Sequence, residues 1–222
     1  MTNLSFAVVD ARPEPYAAAP TLVLRLRIEE GTAARVQTIA LRCQVQIEPR
    51  RRHYSSTEEA RLLELFGEPQ RWGDTLRSVL WANTSVTVPA FRESVEVDLP
   101  IACTYDFEVA SAKYFHSLDD GEIPLLLLFS GSVFVDGPTG LAIDQVPWHH
   151  EASFRLPVET WRRMMDMYFP DSAWIRLRRE TFDALHRFRG ERALTSWEEA
   201  VEMLLDEAGR KTPADVSTRR LA

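Results

Sequence analysis

The chain is almost without lysine: Lys113 and Lys211 are the two lysines among its 26 basic residues. That bias toward arginine is what GC-rich coding would give, and no function is drawn from it. Cysteine is equally sparse. Cys43 and Cys103 stand far apart with no C-x-x-C element, and in a reducing compartment they are expected as free thiols. None of the nine glycines falls in a G-x-G-x-x-G or a phosphate-binding loop, and LFSGSVF (Leu128–Phe134) lacks the G-x-S-x-G order of a nucleophile elbow. The strongest apolar run, IPLLLLF (Ile123–Phe129), falls far short of the roughly 20 residues that span a bilayer. The opening MTNLSFAVVDARPEP has neither a basic start nor a long apolar stretch before a cleavage site, so no signal peptide is read and a cytoplasmic location is expected.

What is present is an ordinary globular composition, 45% hydrophobic and 27% charged, in 222 residues, enough to bury a sizeable core. The formal charge of −7 disfavours nucleic acid and anionic membranes, since both would repel the net field.

From Leu4 to Leu156 the periodicity is two. Leu22, Leu24, Leu26 and Ile28 share one face while Arg25, Arg27 and Glu29 share the other, and Ile39, Leu41, Cys43, Val45 and Ile47 repeat the pattern. These two segments, joined by EGTAAR, read as an antiparallel hairpin. Ser56 followed by Glu59 reads as a capping box for an inserted helix near 57–66, ended by Gly67 and Pro69. Further strands are expected around 76–88, 94–99, 103–109, 124–135, 141–146 and 152–156, with a short helix over 110–118.

At Pro157 the period becomes helical. Val158, Trp161, Met165 and Tyr168 form one stripe. Trp174, Leu177, Phe182, Leu185 and Phe188 form a second, closed by Gly190. Ser196 with Glu199 caps a third, bearing Trp197, Ala200, Val201, Leu204 and Leu205. The fold class is therefore α+β: an antiparallel β-sandwich-like or strongly curved sheet domain over residues 1–156, then a helical segment over 157–208 packing on it, then a disordered tail over 209–222.

The candidate sites are few. VPWHHEASF (Val146–Phe154) brings His149, His150 and Glu151 together, but H-E-x-x-H would need a histidine where Phe154 stands. In an extended chain the two imidazoles would point to opposite faces. A metal site would have to combine one of them with His116 and a cysteine such as Cys103. Cys43 lies in an inward row, the place of a small buried hydrophobe, and Lys113 would need burial to act as a Schiff-base lysine. Arg50, Arg51 and Arg52 are the one dense basic cluster in the folded part. Arginine's planar fork binds oxyanions in pairs, so this cluster is the candidate partner-binding site.

The phrases LRCQVQIEP, LFGEPQRWGDTLRSVLW, PIACTYDFEVASAKYF, GEIPLLLLFSGSVF and PVETWRRMMDMYFPDSAWIRL carry a resemblance. They are distinctive in their Trp, Gly and aromatic spacing, and through them nearly the whole chain resembles an uncharacterised actinobacterial family, a domain of unknown function. The resemblance implies gene neighbourhoods with uptake nickel–iron hydrogenases and their maturation factors. It supplies no catalytic residue. The expectation is a non-catalytic accessory or assembly protein without cofactor, binding another protein such as a hydrogenase subunit or maturation factor. The alternatives are a metal-binding protein or enzyme using His149 or His150, His116 and a cysteine, and a small-molecule carrier with a cavity between sheet and helices.

Overall fold

The alternating rows become two antiparallel sheets in the computed structural model, which describes residues 2–32, 34–103, 110–137, 140–170, 175 and 177–210. The first sheet is three-stranded, in the order β1 (Leu4–Pro13), β2 (Thr21–Glu30), β5 (Ser94–Ala102). The second is five-stranded. It runs β4 (Val79–Val88), β3 (Val36–Ile47), β6 (Glu122–Gly137), β7 (Gly140–Gln145), and β8 (Glu151–Pro157) also pairs with β6. The inward rows of both sheets belong to one hydrophobic core in which Leu22, Leu24, Leu26, Ile28, Ile39, Leu41, Val45 and Leu127 are almost wholly buried. Phe6 of β1 stacks on Phe129 of β6 with ring centroids 4.4 Å apart.

The hairpin expected between β2 and β3 does not form. β2 pairs with β1 and β5, whereas β3 pairs with β4 and β6, so the EGTAAR connection passes from one sheet to the other. Both strands bury the same alternate face, and that pattern is the same whether they lie side by side or in different sheets. Glu30 anchors the crossing. It is buried and accepts hydrogen bonds from the Asn3, Thr32 and Ala34 N–H groups and the Thr32 hydroxyl at 2.7–3.0 Å. Burial alone would raise its carboxyl, but these donors override it and hold the group below the usual range.

β6 is the spine of the second sheet. Its first half pairs with β8 and its second half with β7, while β3 runs along its other side. Gly131 sits where the two halves meet, at φ +149°, and a Cβ there would lie 2.1 Å from the Ala40 carbonyl oxygen. Only glycine tolerates that approach of backbone to backbone. Ser130 and Ser132 on either side turn to the outer face, next to Arg42 and Ala40 of β3.

Helix α1 (Ser56–Phe66) enters as expected, but one residue earlier. Ser55 is the N-cap and Glu58 closes the capping box, with Ser55 Oγ accepting from the Glu58 N–H and Glu58 Oε2 accepting from the Ser55 N–H. Glu58 takes this role over Glu59 because it also faces Arg52 in the interior. A single turn, α2 (Trp72–Thr75), and helix α3 (Ala110–Ser117) follow. The strand expected over 103–109 lies outside the described residues, apart from Cys103, which directly follows β5.

Helix α4 (Val158–Tyr168) buries Val158, Trp161, Met164 and Met165 and packs on β1, β2 and β8. The Tyr168 hydroxyl donates to the carbonyls of Glu14 or Ala17, fixing the β1–β2 loop. α4 therefore belongs with the sheets, and the compact units divide at 174/175, not at 156/157 as the change of periodicity suggested. The second unit holds α5 (Arg179–Glu191) and α6 (Trp197–Arg210). α5 runs through Gly190, and the left-handed residue that ends the connection is Ala193 at φ 53°. α6 starts as read: Ser196 Oγ accepts from the Glu199 N–H. The tail expected over 209–222 lies outside the described residues beyond Arg210.

Candidate functional site

Three places hold the residues singled out by the sequence. The first is the VPWHH segment. It is not strand but the turn that joins β7 to β8, two strands on the same side of β6. The Val146 N–H donates to the Gly131 carbonyl, the Phe129 N–H donates to the His150 carbonyl, and the His150 N–H closes onto Pro147. Because the chain turns here, the His149 and His150 rings do not point apart but lie with centroids 4.7 Å from each other. His150 also meets Phe6 edge-on at 5.6 Å. Burial, and then the neighbouring His149, hold its imidazole below the ordinary histidine value. Trp148 stands beside them at 90% exposure.

The other proposed ligands are elsewhere. His116 lies on α3, 4.6 Å from the Trp161 ring, and burial, with Arg162 adding to it, pushes its pKa down to about 4. Cys103 is buried just after β5, its Sγ directed at the Ile101 carbonyl, and burial pushes its thiol up to about 12. Cys43 is raised to about 12 for the same reason. Among the described residues no three His, Cys, Asp or Glu side chains are grouped so as to hold a metal ion. Lys113 is not a buried amine awaiting a carbonyl, since its Nζ lies 2.7 Å from Glu64 Oε1. The space between α3, α4 and the strands is occupied by the touching rings of Trp81, Phe115 and Trp161. A depression of about 490 Å³ involving Arg42, Gln44, Asn83, Ser85 and Ser130 lies on the second sheet and is open to solvent.

The second place is the arginine cluster, and its three members part company. Arg52 points inward. Its Nη2 donates to Glu58 Oε1 at 2.6 Å and to the Asp120 carbonyl at 2.7 Å, and its Nη1 donates to the Glu122 carbonyl at 2.8 Å. Glu58 Oε1 also accepts from the Asp119 N–H. Burial would raise the Glu58 carboxyl; the Ser55 and Asp119 N–H groups and the Arg52 guanidinium hold it below the ordinary value instead. Gly121, at φ +74°, lies where a Cβ would stand 3.1 Å from Arg52 Nη1. Next to this knot Tyr54 donates to the Pro49 carbonyl, or shares a hydrogen bond with the Tyr114 hydroxyl at 2.9 Å. The Arg52 side chain is thus buried and committed to internal partners. Arg50 and Arg51 remain exposed on the 3-10 turn Pro49–Arg51.

The third place is the α5–α6 unit. α5 has no buried residue, and in α6 Ala200 is buried while Trp197, Val201, Leu204 and Leu205 of the same stripe are more than a third exposed. Phe182 and Trp197 have ring centroids 5.2 Å apart, and the Arg189 guanidinium lies 4.1 Å from the Trp197 centroid. The rest of α6 is acidic, with Glu198, Glu199, Glu202, Asp206 and Glu207. The spacing of the apolar residues pointed to this stripe; that it stays largely open did not follow from spacing.

The model of a family of unknown function, DUF6084, matches residues 1–213. The chain belongs to that family. Comparison of this DUF6084 member with curated proteins finds no match. Among solved structures it is similar to the putative ApaA protein of Bordetella pertussis, at 13% identity over 70% of this chain and 93% of that one, with a TM-score of 0.29. It is also similar to the CARDB domain of a Pyrococcus furiosus protein solved with di-metal ions, at 10% identity over 70% and 92%, TM-score 0.27. A Kluyveromyces marxianus β-glucosidase aligns at 8% identity over 69% of this chain, TM-score 0.27, and the chain spans 15% of that enzyme. At such TM-scores these likenesses carry no argument about what the DUF6084 chain does.

Proposed function

We propose that this protein is a non-catalytic accessory or assembly factor of the cytoplasm: a sandwich-like β scaffold that carries a helical docking element and binds another protein. The observation that carries the reading is the open apolar stripe of α5 and α6. A helix pair of this size that buries, among its described residues, Ala200 alone gains little stability from its own packing, and an amphipathic stripe with i, i+3, i+4, i+7 spacing is the form that docks into a partner's groove. The buried, strongly protonated thiols and the paired Lys113 also favour a non-catalytic role. The partner we propose is a nickel–iron hydrogenase subunit or maturation factor, a direction that comes from the gene-neighbourhood association of the family resemblance.

The test is affinity capture of the tagged chain from its host under hydrogenase-expressing conditions, read by mass spectrometry against a tag-only control and against Leu205→Glu. Leu205 is 66% exposed, so the substitution leaves the folded interior untouched. Enrichment of hydrogenase subunits or maturation factors by the wild type, lost in Leu205→Glu, supports the reading. Enrichment that survives the substitution removes the helical stripe from it, and absence of these proteins after crosslinking removes hydrogenase. A metal-binding role is the second reading, favoured by the 4.7 Å approach of the His149 and His150 rings. Stoichiometric zinc or nickel in untagged protein, lost in His149→Ala, would establish it.

A further inference from the structure

Arg50 and Arg51 do not stand alone on the surface. Together with Arg77 and Ser78 they line a cleft of about 240 Å³, with Glu48 as its one carboxylate. Three arginines thus line one cleft from two separate segments of the chain. Arg51 is held in place by Glu48, Nη1 to Oε2 at 2.9 Å, whereas Arg50 and Arg77 have no acidic partner among the described residues.

Both segments are fixed from beneath. Pro49 is buried and its carbonyl accepts from the Tyr54 hydroxyl, and the Arg52 knot follows directly. On the other side Leu76 is buried, with its N–H bonded to the Trp72 carbonyl, so Arg77 leaves a pinned backbone. The cleft is therefore presented by ordered chain, which reduces the entropy lost on binding.

We infer that this cleft is a receptor for carboxylates: it binds a short acidic segment of a protein partner. The chemistry favours this occupant over others. The volume lies below the range of roughly 300–1,000 Å³ in which small molecules and cofactors are held. Among the described residues no aromatic side chain lines the cleft to stack on a base, so a nucleotide has no seat there. A long polyanion such as RNA, or an anionic bilayer, meets the −7 field of the whole chain, whereas a segment with a few neighbouring Asp or Glu residues meets the local positive charge first. Guanidinium forks pair with carboxylates bidentately, and Ser78 adds a neutral donor for a remaining oxygen. This inference rests on the accessory-protein reading only in that the acidic segment belongs to a protein.

The test uses the full chain and a fluorescein-labelled acidic hexapeptide of alternating Asp and Glu, followed by anisotropy at about 10 mM salt, where the Debye length is about 30 Å. The control peptide carries Asn and Gln. Binding of the acidic peptide alone, weakened about tenfold or more by Arg50→Glu and by Arg77→Glu but not by Arg92→Glu, is the expected result. Arg92 is an exposed arginine of another loop, so it imposes the same change of net charge without touching the cleft. An equal loss in Arg92→Glu would reduce the effect to general electrostatics and overturn the inference. So would binding of neither peptide, or displacement of the peptide by equimolar phosphate. Since no hydrogenase component is present, a failure here leaves the helical docking reading standing, and failure of that reading leaves this measurement intact.

Discussion

Replacing Glu58 by Gln would test whether the Arg52–Glu58 knot holds the helical side of the sheets in place. The two side chains are 8% and 4% exposed, and Glu58 accepts three hydrogen bonds, the one from the Ser55 N–H closing the α1 cap. Glutamine preserves the shape but puts an NH₂ where a carboxylate oxygen now accepts from Ser55, or from Asp119 and Arg52, so donor faces donor. It also leaves the Arg52 guanidinium buried without its counter-charge. Breaking a buried pair in this way costs about 3–5 kcal/mol, and equilibrium urea unfolding followed by tryptophan fluorescence at neutral pH should show that loss. The pH dependence supplies the sign. The folded-state pKa of Glu58 lies below the ordinary value of 4.5, so the stabilisation is fully present above that value and is lost as pH falls through the folded pKa. The gap between wild type and Glu58→Gln should therefore be flat from neutral pH to about 5 and close below it. A loss under about 1 kcal/mol, or a gap unchanged at acid pH, would refute the view that the charge pair, and not merely the packing, holds this corner.

Three further outcomes follow from the geometry. Gly131→Ala places a Cβ 2.1 Å from the Ala40 carbonyl oxygen in a left-handed backbone, and a destabilisation of about 3 kcal/mol or more, or failure to fold, is expected in thermal melts. With its pKa near 4, His116 should stay neutral at physiological pH, so its NMR resonances should not titrate between pH 7 and about 5.5. Its depressed pKa makes it a source of stability that is complete above about 6.5 and lost as pH falls toward 4. Cys43 and Cys103, both buried with thiols raised to about 12, should be inert to thiol reagents in the native protein, and both should react once it is unfolded.

Much of the fold was legible because burial follows period. The rows of β2, β3 and β6, the helix near 57–66, and the Ser196–Glu199 cap can each be read from a few residues. What escaped was decided across space. Alternation does not say which strand lies beside which, so the β2–β3 step looked like a hairpin. The α1 cap shifted to Ser55 because Glu58, not Glu59, meets Arg52. The two histidines were expected to diverge as in an extended chain, since a turn at the junction of β7 and β8 depends on Gly131 in another strand. The arginine run was rightly seen as basic, but the inward turn of Arg52 needs the carbonyls of Asp120 and Glu122, and the contribution of Arg77 needs the loop before β4. No local signal in the sequence marks either.

The place of β6 in the chain bears on how the protein is made. β3 must wait for it: Val36 pairs with Val135 and Ile47 with Leu125, so the second sheet cannot close until the strand well past the chain's midpoint has left the ribosome. Until then β3 has only β4 beside it, and the apolar row of Ile39, Leu41, Val45 and Ile47 lies next to an unfilled edge. Such long-range pairing makes for slow folding and an aggregation-prone nascent chain. Synthesis of this protein is expected to draw on holdase chaperones, and truncations ending before Glu122 should accumulate as insoluble material.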